Sequence, residues 1–176
     1  RSDGTLYMLP AGSFSLGSSG GPAVANIVGG AQLEIVLGTQ NGLVKMFDYT
    51  RSQIWSTALL SSGQIQSKPA IGDVDNNGDL EIVITDSLGK IYVINAVDGV
   101  IQNSFGSVSA MSSPALGDVD NNGDLEIYAS LPNRIIGYNH DGSLVSSSYT
   151  AATNVLLDPS FRFYNCNFTA QSPVIG

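Results

Sequence analysis

The stretch "GDVDNNGDLEI" occupies residues 72–82, and the same eleven residues stand again at 117–127. The two copies begin 45 positions apart, and each combines four acidic residues with glycine and asparagine, which are residues of tight turns. An identical stretch of this length indicates an internal repeat. Because a repeat determines the architecture of a chain, every other motif is interpreted by its position within the repeat.

The repeat extends well beyond these eleven residues. Residues 113–142 follow the pattern of residues 68–99, and residues 21–50 follow it with most of the acids replaced. A proline and a glutamate mark equivalent positions at a period of 45 to 47 residues: Pro22, Pro69 and Pro114, and Glu34, Glu81 and Glu126. The ends, 3–12 and 171–176, resemble the later half and the opening of a repeat.

Short runs of β-branched and aromatic residues, such as "LEIVIT" and "KIYVINA", fill each repeat and predict β-strands. Turn sequences such as "TQNG" and "DSLG" separate them, and no 3.6-residue period predicts a helix. Four short strands in about 45 residues are typical of a β-propeller blade. The sequence therefore predicts an all-β fold of four-stranded antiparallel blades, part of a larger or multi-chain propeller. A β-solenoid or a sandwich fits the length and regularity of the repeat less well.

The repeat divides the chain into five predicted parts. They are the end of a preceding blade (1–20), a blade with a degenerate metal loop (21–66), a blade with a calcium loop (67–111), a blade with a calcium loop and a long aromatic insert (112–170), and the start of a following blade (171–176).

The acidic loop has the residue types of a calcium site. In "DVDNNGDLE" oxygen-bearing side chains stand at positions 1, 3 and 5, a glycine that permits a sharp turn at 6, and a glutamate at 9, and calcium binds six to eight oxygens from such a curled loop. Two calcium ions are expected, and the predicted ligands are Asp73, Asp75, Asn77, Asp79 and Glu81 in one loop and Asp118, Asp120, Asn122, Asp124 and Glu126 in the other.

The alternative is an acidic turn that binds no metal, in which four carboxylates within nine residues repel one another without compensation. The equivalent stretch of the first repeat, "NIVGGAQLE" at 26–34, lacks the required oxygens and is expected to bind no metal.

These loops resemble the calcium-binding FG-GAP/VCBS repeats of integrin-α-type β-propellers, whose pattern is D-x-D-x-D-G-x-x-D/E. The resemblance covers nearly the whole chain except residues 146–170, and it departs from the pattern only at Asn77 and Asn122, which still offer an oxygen. It implies an extracellular propeller of about seven blades with peripheral calcium loops and a role in adhesion or ligand display. It identifies no ligand, because one fold hosts many functions.

The amino-acid composition restricts the kinds of partner and the location that we expect for the protein. A formal net charge of −8 disfavours nucleic acid, and no apolar run approaches the length of a membrane span. Few lysines and many small polar residues suggest a secreted or cell-surface protein, and Asn167 begins a weak N-glycosylation sequon. The single cysteine, Cys166, cannot form an internal disulfide.

The expected function is that of a calcium-stabilised extracellular module for binding, adhesion or assembly. Its expected partners are a protein or carbohydrate ligand, or neighbouring copies of the chain. The sequence offers no catalytic residues: the G-x-S-x-G match at 17–21 lacks a strand–elbow–helix context, and the only histidine, His140, lies in a turn sequence. The alternative is a partial segment of a propeller-type polysaccharide lyase.

Two further expectations concern the ends of the repeat array. The aromatic insert at 144–171 either packs against its own blade or forms a contact surface. Three complete repeats fall short of the four to eight blades of closed propellers, so we expect either a fragment or a subunit completed by a neighbour.

Overall fold

The computed structural model describes residues 17, 20–61, 63–106, 112–131 and 134–145. These residues form strands and turns and no helix, so the predicted all-β class is confirmed. The strands are β1 (Ala23–Ala25), β2 (Glu34–Gly38), β3 (Leu43–Phe47), β4 (Gln53–Ala58), β5 (Ala70–Gly72), β6 (Glu81–Thr85), β7 (Ile91–Asn95), β8 (Ile101–Phe105), β9 (Ala115–Gly117), β10 (Glu126–Leu131) and β11 (Arg134–Tyr138).

The strands form three antiparallel sheets, one from each repeat. The first sheet has the order β1-β2-β3-β4 and the second the order β5-β6-β7-β8, while the third pairs β9, β10 and β11 in sequence. An isolated bridge between Tyr138 and Leu144 continues the third sheet. The predicted four-stranded antiparallel unit is therefore present twice in full within the described residues.

Hairpin turns close as the sequence predicts. Gly42 and Gly89 adopt φ of 72° and 79°, which a side chain would disfavour. Asp86 fixes the second of these turns, because its Oδ1 accepts hydrogen bonds from the amides of Leu88 and Lys90, each at 2.9 Å. In the first sheet the Thr39 hydroxyl takes this role and accepts a bond from the Leu43 amide at 3.1 Å.

The three sheets pack face to face around two apolar clusters. One cluster lies between the first and second sheets and includes Val36, Met46, Ile82 and Ile94, all fully buried. The other lies between the second and third sheets, where Val83 meets residues of β10 and β11. Ile82 and Val83 belong to opposite faces because side chains alternate along a strand, so the second sheet is apolar on both faces. Burial of each such side chain stabilises the fold by about 1.5–3 kcal/mol.

Hydroxyl groups join the sheets where the short first strands begin. The Ser67 hydroxyl donates to the Thr85 carbonyl at 2.7 Å and accepts from the Thr85 amide at 3.0 Å. The Thr85 hydroxyl donates to the Ser112 carbonyl at 3.0 Å and so ties the second sheet to the third. The equivalent glycine of the first repeat, Gly20, lies directly against the backbone carbonyl of Ser67.

The strands of each sheet fall inside one predicted repeat, and the limits of those repeats stay predictions. Several predictions concern residues outside the described part of the chain: most of the preceding blade at 1–20, the aromatic insert after residue 145, Cys166, Asn167 and the following blade at 171–176. None of the described residues builds a helix with the length and apolarity needed to cross a membrane.

Candidate metal centres

The loop 73–81 joins β5 to β6 and curls around the carboxylate of Asp73. The two oxygens of Asp73 accept hydrogen bonds from the amides of Asn77 at 3.0 Å and Gly78 at 2.9 Å. Two residues take positive φ to make this possible, Asn76 at 54° and Gly78 at 96°. Asparagine and glycine tolerate this conformation best, so the sequence itself specifies the curl.

The curl brings three carboxylates together. Carboxylate oxygens of Asp73, Asp75 and Glu81 lie within 4.8 Å of one another. Glu81 is fully buried, and its Oε2 accepts a hydrogen bond from the Val74 amide at 3.0 Å. Its other oxygen, Oε1, and the Oδ1 atom of Asp75 are buried and accept no hydrogen bond from the described residues. Buried carboxylate oxygens without partners are costly, and a divalent cation among them would remove that cost.

The surroundings of Glu81 disfavour its charged form. Burial raises the pKa of its carboxyl above the usual value, and the neighbouring Asp75 and Asp73 act in the same direction. The Val74 amide and the Gln102 side chain oppose this shift in the pKa without cancelling it. A cation beside Glu81 would favour its charged form and so act against this shift.

The remaining predicted ligands of this loop lie at its exposed end. The Asn77 side-chain oxygen accepts a hydrogen bond from the Asp79 amide at 2.7 Å, and both residues are exposed. Neither belongs to the three-carboxylate cluster. Their part in metal binding stays a prediction.

The loop 118–126 joins β9 to β10 and repeats this geometry. Asp118 accepts bonds from the amides of Asn122 and Gly123, each at 3.1 Å, and Asp124 donates its amide to Asn122 at 2.7 Å. The buried Glu126 accepts a bond from the Val119 amide at 2.7 Å.

Carboxylate oxygens of Asp118, Asp120 and Glu126 again lie within 4.8 Å of one another. Asp118 and Asp120 are exposed, whereas Asp73 and Asp75 are half-buried. The two identical sequences therefore have different surroundings.

His140 lies beside the second loop, in a turn as predicted. Its Nδ1 is 3.6 Å from a carboxylate oxygen of Asp124, and both side chains are a little over one-third exposed. The sequence gives no sign of this proximity, because the two residues belong to different turns of the same sheet.

The first-repeat loop, 26–34, keeps the fold of the others without their acids. The Glu34 carboxylate accepts bonds from the amides of Ile27 at 2.7 Å and Val28 at 3.3 Å, and the Asn26 side chain donates to the Gly30 carbonyl at 2.8 Å. No group of three metal-ligating side chains is present here within the described residues.

The donor sets of both acidic loops fit a hard cation. They offer carboxylate and amide oxygens only, on a loop curled tightly enough for several to reach one point, which matches calcium better than zinc or copper. The loops can thus hold a metal ion in each of two neighbouring repeats.

A family model described as FG-GAP-like repeat matches residues 73–129, which include both acidic loops. No curated protein sequence matches the chain. Among solved structures, BamB from Moraxella catarrhalis is 21% identical with a TM-score of 0.50, and the alignment covers 73% of this chain and 36% of that one.

Two further structures are similar. BBS1N, solved in complex with ARL6DN, is 12% identical with a TM-score of 0.54, covering 72% of this chain and 38% of that one. The C-terminal domain of Pseudomonas aeruginosa PilY1 is 19% identical with a TM-score of 0.50, covering 68% and 29%. The chain thus spans about a third of the length of these structures. All three are β-propeller proteins, so these likenesses establish the fold alone. The chain is a β-propeller segment whose residues 73–129 are similar to the FG-GAP-like repeat.

Proposed function

We propose that the chain is a calcium-stabilised segment of an extracellular β-propeller that serves as a binding, adhesion or assembly module. The observation that carries the proposal is the pair of buried oxygens, Asp75 Oδ1 and Glu81 Oε1, that lack a hydrogen-bond partner inside a cluster of three carboxylates. A cation is the group that satisfies both at once.

Calcium would act as a structural clip. Asp73, Asp75 and Glu81 would hold one ion and Asp118, Asp120 and Glu126 the other, with Asn77, Asp79, Asn122 and Asp124 as the further predicted ligands. The ion supplies positive charge that offsets carboxylate repulsion, and the loop residues encircle it and hold β5 to β6 and β9 to β10. We propose a structural role for both ions and assign neither of them a catalytic step.

An extracellular location suits such sites. Calcium sites of extracellular modules bind with dissociation constants of about 10⁻⁴–10⁻³ M, which cytosolic calcium would leave empty. A rigid propeller whose loops are fixed by calcium presents a defined surface to a protein, a carbohydrate or another copy of the chain.

Isothermal titration with CaCl₂ tests the metal sites directly. We expect two ions to bind the full chain, and one ion to bind each of the variants Asp75→Ala and Asp120→Ala. Asp98→Ala removes an exposed carboxylate from the β7–β8 turn, and this control should still bind two ions. Binding that is absent at 10 mM calcium, or that is unchanged in both loop variants, would contradict the proposal.

A further inference from the structure

The two acidic loops are in direct contact. The Leu125 amide, which lies between Asp124 and Glu126, donates a hydrogen bond of 3.3 Å to the Val74 carbonyl, which lies between Asp73 and Asp75. This bond joins the backbones of the two predicted ligand sets. A change in the position of either backbone is therefore transmitted to the other.

A side chain makes a second link. The side-chain nitrogen of Asn76, Nδ2, lies 3.0 Å from the place where a Cβ on Gly123 would stand. The Asn76 side chain of the 73–81 loop therefore reaches the backbone of the 118–126 loop. Gly123 adopts φ of 101°, and it supplies both the sharp turn of its own loop and the space that Asn76 fills.

Apolar contacts fix the relative positions of the two loops, and therefore of the Leu125–Val74 hydrogen bond and the Asn76 side chain. Val74 is 1% exposed and belongs to the cluster between the second and third sheets, against which Leu125 also packs. A Cβ on Gly72 would lie 2.9 Å from Leu125 and 3.0 Å from Leu116, which leaves no room for displacement. The backbone of the 73–81 loop is thus seated in the third sheet, and ordering this loop also orders Leu125.

Repulsion between the two ions would act against this effect, and the carboxylates of each loop would reduce that repulsion. Each loop carries four carboxylates, so a loop that holds one Ca²⁺ keeps a formal charge of about −2 and still attracts a cation. Repulsion between two ions is screened over a Debye length of about 8 Å at physiological ionic strength.

We propose that the two loops bind calcium with positive cooperativity, transmitted by the Leu125–Val74 hydrogen bond and by Asn76 against Gly123. This inference rests on the proposed calcium binding and adds that the sites are not independent. Coupling free energies between sites correspond to factors of about 5 to 150 in affinity, and one hydrogen bond with one side-chain contact points to the lower end, about fivefold.

The test compares overall and single-site affinities for Ca²⁺ alone, measured by calorimetry on the full chain. Asp120→Ala gives the association constant of the 73–81 loop, and Asp75→Ala gives that of the 118–126 loop. The overall constant of the unmutated chain, divided by the product of these two, is the coupling factor. Independent sites give one, and we expect about five.

Matched variants locate the link. Asn76→Gly keeps the positive φ and removes the side chain, and it should lower the coupling factor while leaving the Leu125–Val74 bond in place. Asn121 stands at the same loop position with φ of 61°, on the side of the repeat that follows, so Asn121→Gly should leave the factor unchanged. A factor of one or less in the unmutated chain, or an equal loss in both variants, overturns the inference while two ions still bind. A chain that binds no calcium overturns the proposed function instead.

Discussion

The first sheet, β1–β4, and the second sheet, β5–β8, have the same strand order, although their sequences differ at most of the equivalent positions, which lie 47 residues apart. Glu34 and Glu81 are both buried, and both accept a hydrogen bond from the amide of the second loop residue. Around Glu81, however, two aspartates complete an acidic cluster, whereas the loop of Glu34 has none. Further along the strands, Gly38 and Lys45 of the first sheet stand where the second has Thr85 and Tyr92.

The comparison of the Glu34 and Glu81 loops separates two roles of the loop motif, which are to shape the turn and to gather negative charge. The glutamate shapes the loop in both sheets, and in the first sheet it does so without an acidic cluster around it. Asp73 also shapes its own loop, because its carboxylate accepts bonds from the amides of Asn77 and Gly78, whereas Asn26 closes the first-repeat loop by a bond to the Gly30 carbonyl. Asp75, in contrast, accepts no hydrogen bond through its buried Oδ1 within the described residues. The turn therefore leaves the unpartnered buried oxygens of Asp75 and Glu81 unexplained, and the proposed cation would account for them.

Calcium should produce the largest effect, and only through the acidic loops. At 10 mM calcium and dissociation constants of about 10⁻⁴–10⁻³ M, each site adds about 1.4–2.7 kcal/mol to the free energy of unfolding, or roughly 3–5 kcal/mol for two. Urea denaturation in calcium and in EDTA measures this gain. The Asp75→Ala/Asp120→Ala double variant should lose it, and a full gain in that variant would mean that calcium acts elsewhere.

The next effect concerns the packing between the two sheets. A Cβ on Gly38 would overlap the Ile65 side chain and come within 2.8 Å of its Cβ, so this sheet cannot carry a counterpart of Thr85. Gly38→Ala should lower the free energy of unfolding by about 1–3 kcal/mol, as measured by urea denaturation.

Ile65→Ala removes the Cγ2 methyl group that a Cβ on Gly38 would overlap, and it leaves only the Cβ of residue 65 in contact. The double variant should therefore be more stable than the sum of the two single changes implies. Strict additivity would show that the overlap is not the cause.

A smaller effect should distinguish the two glutamates. Glu81→Gln removes a buried charge from beside Asp73 and Asp75, and it should raise the free energy of unfolding in EDTA by about 1 kcal/mol while reducing the calcium response. Glu34→Gln lies outside an acidic cluster and should bring no such gain. Equal changes in both variants would contradict the separation of roles drawn above.

Alkaline pH should reveal the smallest difference, at Tyr92. Its hydroxyl accepts a bond from the Ser61 amide at 3.2 Å and lies 3.4 Å from the Asp86 carboxylate. Burial raises the pKa of Tyr92, and the Asp86 charge adds to this. Its contribution to stability is thus fully present below the unfolded-state pKa of about 10 and is lost as pH rises through the folded-state pKa.

Tyr92→Phe should cost about 1 kcal/mol at pH 7 through the lost hydrogen bond, and it should flatten the decline in stability above pH 10. Urea midpoints of both chains across that range measure the effect. An unchanged alkaline decline in the variant would assign it to other tyrosines.

Much of this arrangement can be predicted from the sequence, because each repeat forms the same local structure from residues that are neighbours in the chain. The strands, the turns at Gly42 and Gly89, and the convergence of Asp73, Asp75 and Glu81 each depend on neighbouring residues only, so the pattern predicts them. Contacts between repeats were not predicted. The bond from Leu125 to Val74 depends on how far one sheet is rotated and shifted over the next, which residue patterns do not encode.

The second residue of each loop gives the stack of sheets a polarity. Ile27 packs into the cluster between the first and second sheets, and Val74 into the cluster between the second and third. Val119, the equivalent residue of the last acidic loop, is 51% exposed. The second loop residue of one repeat thus packs into the apolar cluster that this repeat shares with the repeat after it. This head-to-tail packing allows repeats to be duplicated or transplanted in one orientation only. An inverted repeat would place two such loop residues, or none, at one contact between sheets.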